Sequence, residues 1–573
     1  MTDVQVVAGP DLGQAAPPKR REVLSAISGL IVGMFVALIS STVVSPSLPR
    51  IVTDLGGSQA DFTWIVTASL LAMTVATPIW GKLADLLNRK LLVQISLAVF
   101  AVGSVLSGFA VSTVWLIVSR AVQGVGIGGL MALVQIVIAD LISPRERGRY
   151  MGFVGAVMGV GQIAGPLIGG VLTDTIGWRW NFFIFVPFAI IGLVIIQRTL
   201  HLPPRPARPV KIDYLGAALI AVGVTALLLW VSLAGKSFAW WSVPTMWLVG
   251  GGLAVLALAV LVELRAEEPI IPLHLFTDRT FTLAVLGSIA VGVAMLGTGI
   301  FLSQYMQFAR GATPTESGLM TLPMVAGQIL SGIAGGALIS RWGRWKPFVV
   351  GGGALTIAGL ALMGTIRYDT NFVLVSVFMF LLGVGVGLVM QNLVLVVQNS
   401  VDPRHMGAAS AGVTFFRTLG GTIGVSVMGA ILAARVPELI HEGVAALPPA
   451  AMAGAGALQG GELPDLASLP EALRLVVENA YGTAIAESFL IAVPLAVLAL
   501  LAICFLPNRP LSRRTGAQQL RHEAENAVFE LADATLANDS AEATEAALRL
   551  TGPAHRGDAE LTVYRPGPEG RDG

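Results

Sequence analysis

Gly81-Lys82-Leu83-Ala84-Asp85-Leu86-Leu87-Asn88-Arg89-Lys90 is a short basic segment set between two long apolar runs, and it returns in weaker form 255 residues later as Gly336-Ala337-Leu338-Ile339-Ser340-Arg341-Trp342-Gly343-Arg344-Trp345-Lys346. Each copy follows the second apolar run of its own half. A repeat of that kind reads as two similar halves, the architecture of transporters whose site lies between them near the bilayer midplane.

Outward from the first copy, apolar runs of about 20 residues, enough to cross a hydrocarbon layer of about 30 Å, fall at about 23–45, 61–80, 91–110, 115–139, 150–171 and 181–200. Around the second copy they fall at about 281–305, 317–339, 348–366, 372–398, 408–432 and 483–506. Two more, 213–233 and 245–263, lie between the sets. The fold class is an all-α membrane protein with 14 transmembrane helices: two six-helix halves plus two inserted helices. The division is a tail over 1–22, a first half over 23–200, the inserted pair with its loops over 201–280, and a second half over 281–507. That second half includes a long loop at 433–481, read as an Ala, Pro and Gly-rich linker, and a tail follows over 508–573 with a soluble helix expected at 518–550.

Composition agrees: of 573 residues 54% are hydrophobic and 12% charged, with 66 glycines and 31 prolines, the profile of a polytopic membrane protein. The net charge of +1 points to no nucleic-acid partner, and the single cysteine, Cys504, leaves no intramolecular disulfide framework. The first run follows Lys19-Arg20-Arg21 but is too long for a signal peptide and lacks an A-x-A site, so it reads as an uncleaved span. Lys and Arg concentrate in one set of loops, including Lys82, Arg89, Lys90, Arg145, Arg147, Arg149, Arg341, Arg344 and Lys346. That bias places both termini in the cytoplasm and the chain, multi-pass, in the inner membrane.

Catalysis has no footing: there is no H-E-x-x-H and no G-x-S-x-G, and the six histidines lie in loops or tails. No metal or cofactor site is expected. Gly235-Lys236-Ser237 has Trp230 where a phosphate-binding loop needs its first glycine, so energy must come from an ion or substrate gradient. Gly383-Val-Gly385-Val-Gly387 sits inside a span and reads as helix packing.

Gly81 to Lys90 resembles the loop signature of the major facilitator superfamily, with Asn88 where glycine is usual. The resemblance implies that Asp85, flanked by Arg89 and Lys90, meets the N-terminal dipole of span thirteen near Gly407 and latches the outward-open state; the plainer reading is a solvated turn kept for topology. In span four, Arg120-Ala-Val-Gln123-Gly124-Val-Gly126 resembles the family's second motif. Arg120, like Arg417 in span thirteen, needs an interior partner or a wet cavity, since an arginine inside a span costs about 2.5–3.5 kcal/mol. Gly161-Gln-Ile-Ala-Gly165-Pro166-Leu-Ile-Gly169-Gly170 resembles the antiporter motif of the exporters, glycines four apart making a flat stripe that another helix can approach. Over about 23–507 the chain resembles the fourteen-span drug:proton antiporters of the EmrB/QacA group. Two departures stand out: Ser40 occupies the place of an acid thought to carry the proton, and Phe185 that of an asparagine.

With that acid missing, the proton-coupling candidates are Glu487, read as about one turn into span fourteen, and Asp61 and Glu316, which share the 255-residue offset. Ser58 and Thr313 precede the latter two by three positions, the capping-box spacing, so helix capping competes with coupling there. Trp64, Met295, Tyr305, Met324, Phe415 and Phe416 are the cavity candidates, a surface able to repack around unlike apolar ligands. The reading that results is a monomeric proton-coupled exporter of lipophilic small molecules in the lipid bilayer, either multidrug or secondary-metabolite. A lipid exporter or flippase of the envelope, and a nutrient importer, are the rivals.

Overall fold

The computed structural model describes residues 20–44, 47–57, 59–200, 213–234, 238–448, 469–512 and 526. The expected helix at 518–550 and Ser58 lie outside them. Fourteen long helices follow the apolar runs. They are α1 (Arg20–Thr42), α2 (Gln59–Leu86), α3 (Arg89–Gly108), α4 (Thr113–Leu141), α5 (Pro144–Thr175), α6 (Trp180–Thr199), α7 (Tyr214–Leu233) and α8 (Val243–Glu263). Then come α9 (Arg279–Ala309), α10 (Leu322–Trp342), α11 (Lys346–Met363), α12 (Phe372–Ser400), α13 (Met406–Ala445) and α14 (Glu471–Cys504). Thirteen are long and apolar enough to cross a membrane, and α1 adds a shorter apolar stretch over Ile27–Thr42. A spanning helix satisfies its own backbone polar groups, which lipid cannot do.

Within each half the same pairs touch: α2 and α3 both pack on α4, and α10 and α11 both pack on α12. Glycines set these approaches. A Cβ at Gly124 would strike the Ser69 carbonyl of α2, and one at Gly126 the Phe100 backbone of α3. On α12, Gly383 faces Met324 of α10 and Gly385 faces Thr356 of α11 in the same way. The triplet Gly383, Gly385 and Gly387 is therefore a packing device equivalent to the one on α4. The two halves meet chiefly through α5 on α10 and α2 on α13. The inserted α7 and α8 pack on each other, and α7 lies against α2 and α13.

Two expectations change. The loop at 433–481 is not a plain linker along its described flanks, because α13 continues to Ala445 and α14 already begins at Glu471. Its amphipathic flanks pack on each other there, Gly443 meeting Val476. The ninth span is also not a uniform α-helix: it carries two π-turns, Val293–Gly297 and Tyr305–Ala309, a local widening often found where a helix serves function.

Candidate functional site

On the basic face, α2 delivers Asp85 to the first turn of α13. Its Oδ1 accepts from the Gly407 N–H at 2.8 Å and its Oδ2 from the Ala408 N–H at 2.8 Å. Those two donors have no partner inside their own helix and sit at the positive end of its dipole. Gly81 and Gly407 permit the contact, since a Cβ on either would run into the other helix. Arg89 fixes the carboxylate: its Nη2 donates to Asp85 Oδ1 at 3.2 Å, its Nε to the Ala84 carbonyl at 2.8 Å, and it pairs with Asp140 of α4. Lys90 stands apart from this group, its Nζ donating to the Gln197 carbonyl at the end of α6.

The second copy of the repeat makes the matching crossing. Gly336 of α10 lies against Gly148 of α5 so closely that a Cβ on Gly336 would overlap the Gly148 carbonyl. Ser340, which stands where the first copy has Asp85, accepts from the Arg149 N–H at 3.3 Å and donates to the Glu146 carbonyl at 3.3 Å. Beside it Arg147, fully buried, reaches from the first half into the second: Nη1 donates to Gln398 Oε1 at 2.7 Å, and Nη2 to the carbonyls of Ala139 and Ile142. Gln398 in turn donates to Ser410 Oγ at 2.9 Å. In the sequence Arg147 is only the middle one of three arginines before a span start, Arg145, Arg147 and Arg149, and nothing there marks it as the buried one.

The link between α8 and α9 runs across the first crossing. Glu268 pairs with the buried Lys82 at 2.5 Å, and the His274 ring meets that of His405, the residue capping α13, at 4.7 Å between centroids. Burial, followed by the neighbouring His274, holds the His405 imidazole below its ordinary value.

Deeper in, Arg120 and Arg417 are both buried. Arg120 Nη1 donates to Gln123 Oε1 at 2.6 Å, and the Gln123 amide donates to Ser40 at 3.0 Å and Ser104 at 2.7 Å. Ser40 thus belongs to a hydrogen-bond network, centred on Gln123, that ties α1, α3 and α4. Arg417 Nη1 donates to the Met390 carbonyl at 3.4 Å. The glycine stripe of α5 seats α1: positions 165 and 169 admit no Cβ against Thr42 and Val43, and Thr42 Oγ1 donates to the Gly161 carbonyl at 3.1 Å. The helix runs on through Pro166.

Several sequence candidates sit elsewhere than expected. Glu487 is not one turn into its helix, because α14 starts 16 residues earlier, at Glu471. It is about one-third exposed and ion-paired with Arg435 at 2.9 Å, so a permanent cation already neutralises it. Glu316 forms the full capping box with Thr313, whose N–H and hydroxyl both hold its carboxyl below the usual carboxylate range. Asp61 opens α2 in its first turn. Tyr305 is fully buried, donates to the Arg367 carbonyl at 2.7 Å and accepts from Arg310. Phe415 packs with Leu71 against Ile220 and Val224 of the inserted pair, and Phe416 stacks edge-on to Phe276. Trp64 and Met295 are half-buried, Met295 inside the first π-turn, while Met324 is buried against α12. The spans also carry buried amides, Gln328, Gln391, Asn392 and Gln398.

The family model described as Major Facilitator Superfamily matches residues 30–425. An uncharacterized MFS-type transporter of Mycobacterium tuberculosis strain H37Rv is 38% identical over 504 residues, 87% of this chain and 71% of that protein. The multidrug transporter protein MdtP of Bacillus subtilis is 37% identical over 416 residues, 73% of this chain and 76% of that protein. Among solved structures, the proton:xylose symporter XylE shares the fold at a TM-score of 0.57 and 14% identity, over 86% of this chain and 98% of that one. With two half-related helix crossings, a loop signature on the first and relatives at this identity, the chain belongs to the Major Facilitator Superfamily of membrane transporters.

Proposed function

We propose that the chain is a proton-coupled exporter of lipophilic small molecules, multidrug or secondary-metabolite, working as a monomer in the cytoplasmic membrane with both termini in the cytoplasm. The observation that supports it most is the 37% identity to a protein named as a multidrug transporter. The seating of α1 on the Gly161, Gly165 and Gly169 stripe is the geometry that the antiporter motif implies. Both crossings close the basic face, so the conformation on hand is the one in which an exporter has carried its site away from the cytoplasm. Asp85 with Arg89 serves as the latch of that state, and the inserted pair over 201–280 travels with it through Lys82 and His405. Turnover requires the crossings to break and reform, which is alternating access by rocking of two halves.

Three acids stand as candidates for coupling: Glu487, paired with Arg435, Glu316, in its capping box, and Asp61, in the first turn of α2. The test is efflux of ethidium from cells expressing the protein, with and without a protonophore. Lower dye accumulation that the protonophore abolishes supports the reading. Equal accumulation across chemically varied dyes, with the protein present in the membrane, overturns it in favour of a lipid exporter.

A further inference from the structure

We propose that Arg417, Gln328 and Gln391 form the polar end of a substrate site between the two halves, selective for apolar molecules that carry a carboxylate or another anionic group. The inference deepens the exporter reading and rests on it for the direction of transport.

Hydrogen-bond accounting carries the argument. Arg417 offers five donors and is almost wholly buried, yet its one hydrogen bond among the described residues is the 3.4 Å contact with the Met390 carbonyl. Gln328 donates to the Met390 sulfur at 3.6 Å and Gln391 to the Met158 sulfur at 3.3 Å. A thioether is a weak acceptor, so the two buried amides are served only by sulfur, and the guanidinium by a single long bond to a carbonyl. The Oε1 atoms of Gln328 and Gln391 are buried and accept nothing among the described residues. Buried polar groups are ordinarily satisfied, and each exception asks for an explanation.

The position is that of a transport site. Gln391 on α12 reaches across to Met158 on α5, with Gly155 leaving room at the crossing, so the cluster bridges the halves that must separate. Arg417 is 11 residues into α13, about 16 Å along its axis at 1.5 Å per residue and hence near mid-membrane. No carboxylate forms an ion pair with Arg417 or with Arg120 among the described residues. The acids nearest the core, Asp85, Asp140 and Glu263, stand at the ends of α2, α4 and α8. Arg120, buried in the separate network of α1, α3 and α4, likewise has a neutral partner in Gln123. A buried guanidinium is strongly driven toward a planar anion, which it meets with two parallel bonds. The methionines supply a soft apolar wall that fits varied ligand bodies.

The test uses the full-length protein in nanodiscs of zwitterionic lipid, with protein-free discs as blank, and three probes of one shape: 2-naphthoate, 2-naphthalenemethanol and 2-naphthylmethylammonium. The proposal requires naphthoate to bind at least tenfold more tightly than the cation, with the alcohol between. Arg417→Gln should remove that preference, Arg417→Lys should restore part of it, and Gln391→Leu should weaken naphthoate severalfold with little effect on the cation. If Arg417→Gln does not fold, the wild-type ranking and Gln391→Leu still decide. Equal binding of the three, or preference for the cation, overturns the site, and does so independently if ethidium export is intact. Preference for naphthoate without any dye export leaves the site standing and removes the exporter reading.

Discussion

At one crossing of the basic face an ionised Asp85 accepts two backbone N–H groups at 2.8 Å; at the other, 255 residues along, a neutral Ser340 accepts one at 3.3 Å. The backbones are alike, with small residues in facing pairs, Gly81 with Gly407 and Gly336 with Gly148. The side chains are not. A carboxylate at a helix start collects both the dipole and charge-assisted hydrogen bonds, whereas a hydroxyl collects a single neutral one. The first crossing also carries Arg89, Asp140, Lys82, Glu268 and two histidines, so it is the one that charge and pH can address. The second is held by fit and by Arg147 on Gln398.

If that contrast is right, the largest effect comes from removing the charge. Asp85→Asn keeps one acceptor and turns a donor toward the Ala408 N–H, losing charge-assisted bonds worth about 1.5–3 kcal/mol each. We expect the closed population to fall about a hundredfold relative to the open one, with transport reduced and insertion unaffected. Hydrogen exchange of the Gly407 and Ala408 amides reads this directly. Wild-type protection in the variant would reduce Asp85 to a solvated topological charge.

Next is fit. Gly336→Ala places a methyl on the Gly148 carbonyl, and since the obstacle is backbone rather than a flexible side chain, α5 and α10 must move apart. Overpacking of this sort costs about 1–3 kcal/mol. Exchange should rise at Arg149 while Gly407 stays protected; loss of protection at both would mean that the crossings open as one unit.

How much of this could be read beforehand follows the same division. The apolar runs gave all fourteen helices because lipid imposes one demand, continuous hydrophobicity, on every span. Asp85 was legible because an acid in a basic turn is a conspicuous cost. Ser340 carried no such mark, because a small hydroxyl in a basic segment costs nothing that a sequence would show. Which way a side chain points inside an apolar helix is not written in composition, so the reach of Tyr305 to the Arg367 carbonyl and the packing of Phe415 on the inserted pair were not legible. Glu487 was misplaced by a boundary: α14 extends 12 residues further toward its start than the apolar run at 483–506, carrying the acid to Arg435. The amides Gln328, Gln391 and Gln398 were readable in principle, as polar residues inside spans, but uncharged amides do not interrupt a hydropathy run and were passed over.

A smaller effect should appear on acidification. His405 is held below its ordinary value, first by burial and then by His274, with Lys82 also lowering it while Asp402 and Glu268 oppose. A depressed value in the closed state means that closing favours the neutral ring. That stability is present above the ordinary histidine value of about 6.5 and is lost as pH falls through it, because the open state takes up the proton. Since His405 is only about half-buried, the shift in the closed-to-open ratio between pH 7.5 and 5.5 should stay below about tenfold. The Gly407 and Ala408 amides should exchange faster at pH 5.5, after correction for intrinsic rates, and His405→Gln should remove the dependence. A dependence that survives in the variant assigns it to another group.

The smallest effect, and the most discriminating, is at Ser340. Ser340→Ala removes two long neutral bonds, the one accepted from the Arg149 N–H and the one donated to the Glu146 carbonyl, together worth about 1 kcal/mol, so exchange at Arg149 should rise only about fivefold. Ser340→Asp asks whether charge alone separates the crossings. The acid would face the N–H of Arg149, the sixth residue of α5, further from the helix start than the Gly407 and Ala408 N–H groups that Asp85 meets, so the dipole favours it less. Glu146 already lies in the first turn of α5 and its carbonyl would lose the hydroxyl that now donates to it. The attraction to the Arg149 N–H outweighs these costs if Arg149 and Arg145, close by on the same turn, balance Glu146. We therefore expect Ser340→Asp to protect the Arg149 amide beyond the wild type and to slow transport, because a second charged latch must break in every cycle. Reduced protection would show that the first crossing owes its strength to Arg89 and Asp140 around the carboxylate rather than to the carboxylate at a helix start.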